Sequence, residues 1–124
     1  MTDGNDIESL RQILAHSRTI AVVGLSADWF RPSFFAAKYM QEHGYRVIPV
    51  RPAVAEVLGE KAYARLADVP VPVDLVDVFR AADQLDPVVD DCIARRVPAL
   101  WIQEGIVNEA AAERAAAAGI QVVM

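Results

Sequence analysis

Five short apolar runs recur along the chain, each separated from the next by a polar or amphipathic stretch. They are Ile20 to Gly24, Tyr45 to Val50, Val73 to Phe79, Pro98 to Ile102 and Ile120 to Met124. The first, with Ile20, Ala21, Val22 and Val23 in a row, has the near-continuous apolarity of a central parallel strand buried on both faces. The third carries Asp74 and Asp77 and is less purely apolar. Between the runs the period changes to that of a helix. Ile7, Leu10, Ile13 and Leu14 share one face of a first helix, which Asn5 or Asp6 would cap and which would run to about Ser17. A second helix starts near Pro32 or Ser33 and ends at Gly44. Asp86-Pro87 is read as cap and first residue of a third, with Val88, Val89, Cys92 and Ile93 on its inner face. Asn108 caps an alanine-rich fourth helix that stops at Gly119. The stretch from Ala53 to Pro72 is less regular and predicts a short extended piece followed by a short helix. This alternation, with right-handed crossovers, predicts an α/β fold: a Rossmann-like doubly wound parallel sheet of about five strands, in the order 3-2-1-4-5, with helices on both faces. One domain is expected over residues 1–124, in which residues 1–18 form an N-terminal helix packed on the sheet.

Composition narrows the classes of function. An apolar fraction of 54% suits a well-buried domain, and a formal charge of -5 without any Lys/Arg run disfavours nucleic acid as a partner. The single cysteine, Cys92, rules out a disulfide or CxxC site within the chain. The polar, acidic start MTDGNDIESL does not read as a signal peptide, and no apolar run approaches the roughly 18 residues of a membrane span. A soluble, cytoplasmic domain with no membrane partner and no metal site is expected.

In such a sheet, ligands bind beyond the carboxyl ends of the strands. That edge receives GLSADWFRPS after the first strand, Arg51-Pro52 after the second, FRAAD after the third and Gln103-Glu104-Gly105 after the fourth. Gly24 lets the backbone turn without a Cβ in the way, and the following helix aims its N-terminus at the loop, which suits a phosphate. Arg31, Arg51 and Arg80 at this edge favour a phosphate-rich ligand, with Ser26 and Ser33 beside them. The loop lacks the GxGxxG fingerprint, because Ser26 and Trp29 stand where its later glycines would be. Arg51 also stands where an acidic residue would hold a ribose diol. Both points argue against NAD and permit NADP or coenzyme A; a solvated Arg51 without a ligand role is the alternative. Trp29 and Phe30 would cover the ligand, form a partner surface, or fold back on the core.

The segments GLSADWFRPSFFAAKYMQEHGYRVIPVRP, EVLGEKAYARLADVPVPVDLVDVFR and ALWIQEGIVNEAAAERAAAAGIQVVM, in this order, resemble the stand-alone CoA-binding domain proteins. These are small Rossmann-like proteins related to the CoA-binding domain of the succinyl-CoA synthetase α-subunit. The resemblance implies coenzyme A, or an acyl-CoA, at the strand carboxyl ends. Gly24, Leu25 and Ser26 match the family's phosphate loop, and Arg31, Pro32 and Ser33 the start of its first crossover helix. Arg51-Pro52 falls at the usual Asn-Pro, Val78, Phe79 and Arg80 at the adenine-side segment, and Gln103, Glu104 and Gly105 at the pantetheine-side turn. Arginine in place of asparagine at position 51 implies a changed phosphate contact. Family members usually continue with a short Asp-Arg-Cys tail where this sequence ends in an apolar strand, so a further segment is expected.

No catalytic constellation is evident. His16 and His43 fall near helix C-termini, where an imidazole suits the dipole, and Cys92 lies on an apolar helix face. Asp28 and Glu104 are the carboxylates at the predicted edge, and nothing places a reacting group between them. Lys38 is expected to keep its ammonium in solvent. The sequence therefore predicts a non-catalytic CoA or acyl-CoA binding module with a carrier, sensing or regulatory role. The alternatives are an NADP-type oxidoreductase fragment and a ligand-free Rossmann-like interaction module. A protein partner or homo-oligomer stays open, since the alanine-rich helix would pack equally well on its own sheet or on a second subunit.

Overall fold

The computed structural model describes residues 7–103 and 105–124. Asn5 and Asp6, the expected caps of the first helix, lie outside them, as does Glu104. In chain order the elements are α1 (Ile7–Ala15), β1 (Thr19–Val23), α2 (Pro32–Glu42), β2 (Arg46–Val50), β3 (Glu56–Val57), β4 (Glu60–Lys61), β5 (Leu75–Val78), α3 (Leu85–Arg95), β6 (Ala99–Ile102), α4 (Glu109–Ala117) and β7 (Gln121–Val123). Short 3-10 turns at Leu66–Asp68 and Ala82–Gln84 complete the path.

Five strands form one parallel sheet in the order β2-β1-β5-β6-β7, and β3 and β4 make a separate antiparallel hairpin. The expected α/β Rossmann-like fold is present. Its 3-2-1-4-5 pattern is present with a different segment in the third place. The third place, outside β2, is taken by the residue Tyr63, through a single parallel bridge to Val50. There the Tyr63 N–H donates to the Pro49 carbonyl (3.0 Å) and the Arg51 N–H donates to the Tyr63 carbonyl (2.7 Å). The run read from sequence as the third strand thus takes the fourth place, on the other side of β1.

Alternation along the strands builds two cores. Ala21, Val23, Ile48, Val50, Val76, Val78, Leu100 and Ile102 face α3 and α4. Ile20, Val22, Val47, Leu75 and Ala99 face α1 and α2, where Ile13, Ala37 and Met40 meet them. The alanine-rich α4 buries Ala111, Ala112 and Ala115 in the first core, so its small side chains serve close packing on its own sheet. Asn108 caps it as expected, accepting from the Ala111 N–H at 3.1 Å. The start of α3 differs from expectation. The helix begins at Leu85, after the 3-10 turn, and Asp86 lies inside it without capping. Leu85 is fully buried, and beginning the helix there sets it into the core, while Pro87 stays in the first turn where no N–H is needed.

Candidate functional site

Gly24 ends β1 with φ near +89°, and its N–H donates to the Val50 carbonyl at 2.9 Å. A Cβ there would sit 3.0 Å from the Phe79 carbonyl oxygen. Glycine is required twice over, for the left-handed backbone and for the close approach of the β5 end. The next turn is held by two serines. The buried Ser26 gives its N–H to Ser33 Oγ (3.0 Å) and accepts the Asp28 N–H on its own Oγ (3.0 Å). Arg31 occupies the N-cap position of α2 with an extended backbone, no side-chain cap and proline following. The helix N-terminus is therefore left uncapped by any side chain.

These elements surround a cavity of about 420 Å³ lined by Gly24, Ser26, Asp28, Arg31, Pro32, Ser33, Arg51, Phe79, Arg80, Ala81 and Gln84. Three arginines, from the ends of β2 and β5 and the start of α2, line it. Among the described residues none of the three is in an ion pair, and the Arg31 side chain makes a cation–π contact with Phe30, 5.4 Å from the ring centroid. Asp28 is the one carboxylate that lines the cavity among the described residues. A second cavity of about 270 Å³ adjoins it through the shared Arg80 and Gln84, and is walled largely by Val23, Val50, Leu66, Pro87 and Val88.

Of the residues singled out from sequence, Gly24, Ser26, Arg31, Pro32, Ser33, Arg51, Phe79 and Arg80 come together here. Leu25 and Val78 do not: both side chains are fully buried, each in one of the two cores. Alternation along β5 decides this for Val78, whereas Leu25 lies past the end of β1, where the turn at Gly24 sends its side chain into the other core. Pro52 is exposed outside the lining. Gln103 and Gly105 belong to a turn at the end of β6, beyond β5, and do not line the cavity. Gln103 instead donates its side-chain amide to Asp77 Oδ1.

The sequence marks Asp77 only as a break in the apolarity of the third run and leaves Gln84, which lines both cavities, outside the edge segments. Asp77 is fully buried on β5 between Val22 and Trp101, and its Oδ2 has no partner among the described residues. Burial pushes its carboxyl up to about 7, offset in part by the hydrogen bond from Gln103. An aspartate within a central apolar strand is itself the signal that would have found it. Gln84 lies one residue past the FRAAD segment assigned to the edge. Burial likewise pushes the Cys92 thiol up to about 12, with Asp91 adding to it and Arg95 opposing, which disfavours the thiolate. The ring nitrogens Nδ1 of His16 and His43 each lie 2.8 Å from the carbonyl four residues back. A carbonyl only accepts, so both imidazoles donate there and close helix ends.

Residues 18–124 match the family described as CoA binding domain. The chain belongs to that family. The uncharacterized protein YneT of Bacillus subtilis is 41% identical over 115 residues, covering 93% of this chain and 85% of YneT. Among solved structures, the PH1109 protein redesigned for binding superposes with a TM-score of 0.93 at 35% identity, covering 99% of this CoA binding domain and 87% of that chain. The dinucleotide-forming acetyl-coenzyme A synthetase 1 of Ca. Korarchaeum cryptofilum, apo form, matches with a TM-score of 0.71 at 26% identity, over 84% of this chain and 25% of that chain. The CoA binding domain thus also resembles a quarter of a much larger protein.

Proposed function

We propose that this protein binds coenzyme A or an acyl-CoA in the two joined cavities, as a non-catalytic carrier, sensing or regulatory module. The observation that carries this reading is the cluster Arg31, Arg51 and Arg80. Three arginines outside any ion pair among the described residues, against the single carboxylate of Asp28 in the same lining and in a chain of net charge -5, favour a polyanion with several phosphate groups. Family membership supports coenzyme A as that polyanion. The larger cavity would take the phosphates, and the more apolar neighbour an uncharged end of the ligand. Arg51, standing where an acidic residue would accept from a ribose diol, can only donate, so it suits a phosphate better than an unphosphorylated diol, which supports coenzyme A over NAD.

Calorimetric titration with coenzyme A, acetyl-CoA, dephospho-CoA, NADP and NAD tests this. Coenzyme A should bind, and Arg51→Ala should weaken it by about tenfold or more, the loss of one charge-assisted hydrogen bond. Binding of NADP alone would replace this reading with the oxidoreductase one. Binding of none of the five would leave the ligand-free module.

A further inference from the structure

The outer face of α2 is apolar where a surface helix is normally polar. Phe35 is 57% exposed and Tyr39 63%, and the loop that leads into the helix adds Trp29 at 70% and Phe30 at 57%. Neither loop aromatic folds back on the core; they meet only edge to face, with centroids 6.1 Å apart. At roughly 150–250 Å² per aromatic side chain, the four leave about 500 Å² uncovered on one copy. Summed over the loop and the helix, that area is comparable to the largest apolar patches on monomers and is more than half of the roughly 800 Å² each partner gives to a stable interface. Beside the projecting Phe35 lies an apolar groove of about 420 Å³, lined by Leu14, Ala36, Tyr39, Met40, Tyr45 and Trp101 among others.

The geometry points to a symmetric homodimer through α2, in which Phe35 of each copy seats in the other copy's groove. A projecting ring next to a groove on one surface is what a two-fold axis needs, because each copy then supplies both halves of the contact. The charges on the same face agree. Lys38 and Glu42 are exposed one turn apart, and neither is in an ion pair within its own copy among the described residues. Antiparallel approach of two α2 helices brings each lysine toward the opposite glutamate, whereas parallel approach would oppose like charges. This inference goes beyond ligand binding and does not depend on which ligand the cavity takes.

Sedimentation of the full chain from micromolar to sub-millimolar concentration tests it, with circular dichroism to confirm folding of each variant. The wild type should dimerise, and Phe35→Glu or Tyr39→Glu should weaken the dimer by about thirtyfold or more. Lys38→Glu and Glu42→Lys should each weaken it, and the two together should restore it. A wild type that stays monomeric across the range overturns the proposal, as it would if another segment of the chain or a different protein covered the face. A dimer indifferent to the Phe35, Tyr39 and charge-swap variants overturns it equally.

Discussion

Asp77 stands where the alternation of β5 reserves an apolar side chain, and burial favours its protonated form. The native state holds a proton that the unfolded chain releases above about 3.8. Between that value and about 7 the native state binds more protons than the unfolded one, so this group lowers stability as pH rises through the window and no further above it. Asp77→Asn cannot ionise and should lose that slope. Urea midpoints measured against pH should show the variant gaining on wild type from pH 4 to 7, with a difference on the order of 2–4 kcal/mol at pH 8. Gly24 is constrained by geometry, since its φ is positive and a Cβ would press on the Phe79 carbonyl. Gly24→Ala should cost about 1–3 kcal/mol and displace the Phe79–Arg80 wall. Paired chemical denaturation and ligand titration would show both losses, and unchanged affinity would separate the turn from the site.

At the scale of elements, the irregular connection between β4 and β5 is held from α3. Arg95 donates to the carbonyls of Leu66 (3.2 Å), Val69 (2.7 Å) and Val71 (2.7 Å), and Arg65 pairs with the mostly buried Asp91 at 2.7 Å. This connection carries Ala64, Arg65 and Leu66, one wall of the second cavity. Arg95→Ala should destabilise the fold by about 2–4 kcal/mol, three carbonyls losing a charged donor. Arg95→Lys should recover only part, because a point ammonium cannot span the fork. Amide exchange in the segment 66–71 would report the loosening directly. Arg95 was invisible as an anchor from sequence, since its partners are backbone carbonyls some 24 to 29 residues away. Asn108, by contrast, was legible as a cap, because capping spans three residues of one chain segment. Asp86-Pro87 carried the same local signal, and the burial of Leu85 overrode it.

For the whole molecule, ligand binding and folding are linked. A ligand held only by the native state should stabilise it by about 2.7 kcal/mol at a hundred times its dissociation constant, or about 8–16 °C in melting temperature for a chain of this size. Thermal melts with and without coenzyme A check this, and no shift at saturation would contradict binding to the native fold. Among the described residues no helix is long and apolar enough to cross a membrane. The sequence by itself determined the five-strand α/β architecture, the glycine turn and the arginines at the strand ends, because periodicity, turn residues and charge act over short stretches of chain. Only the tertiary structure decided which of those residues share a cavity. Strand alternation turned Val78 inward, the turn at Gly24 sent Leu25 into the core, and the placing of β5 between β1 and β6 set the Gln103 turn apart from the cavity, where its glutamine tethers to Asp77. It also exposed Phe35 and Tyr39 beside a groove. Such choices rest on contacts between segments far apart in sequence, which no local pattern records.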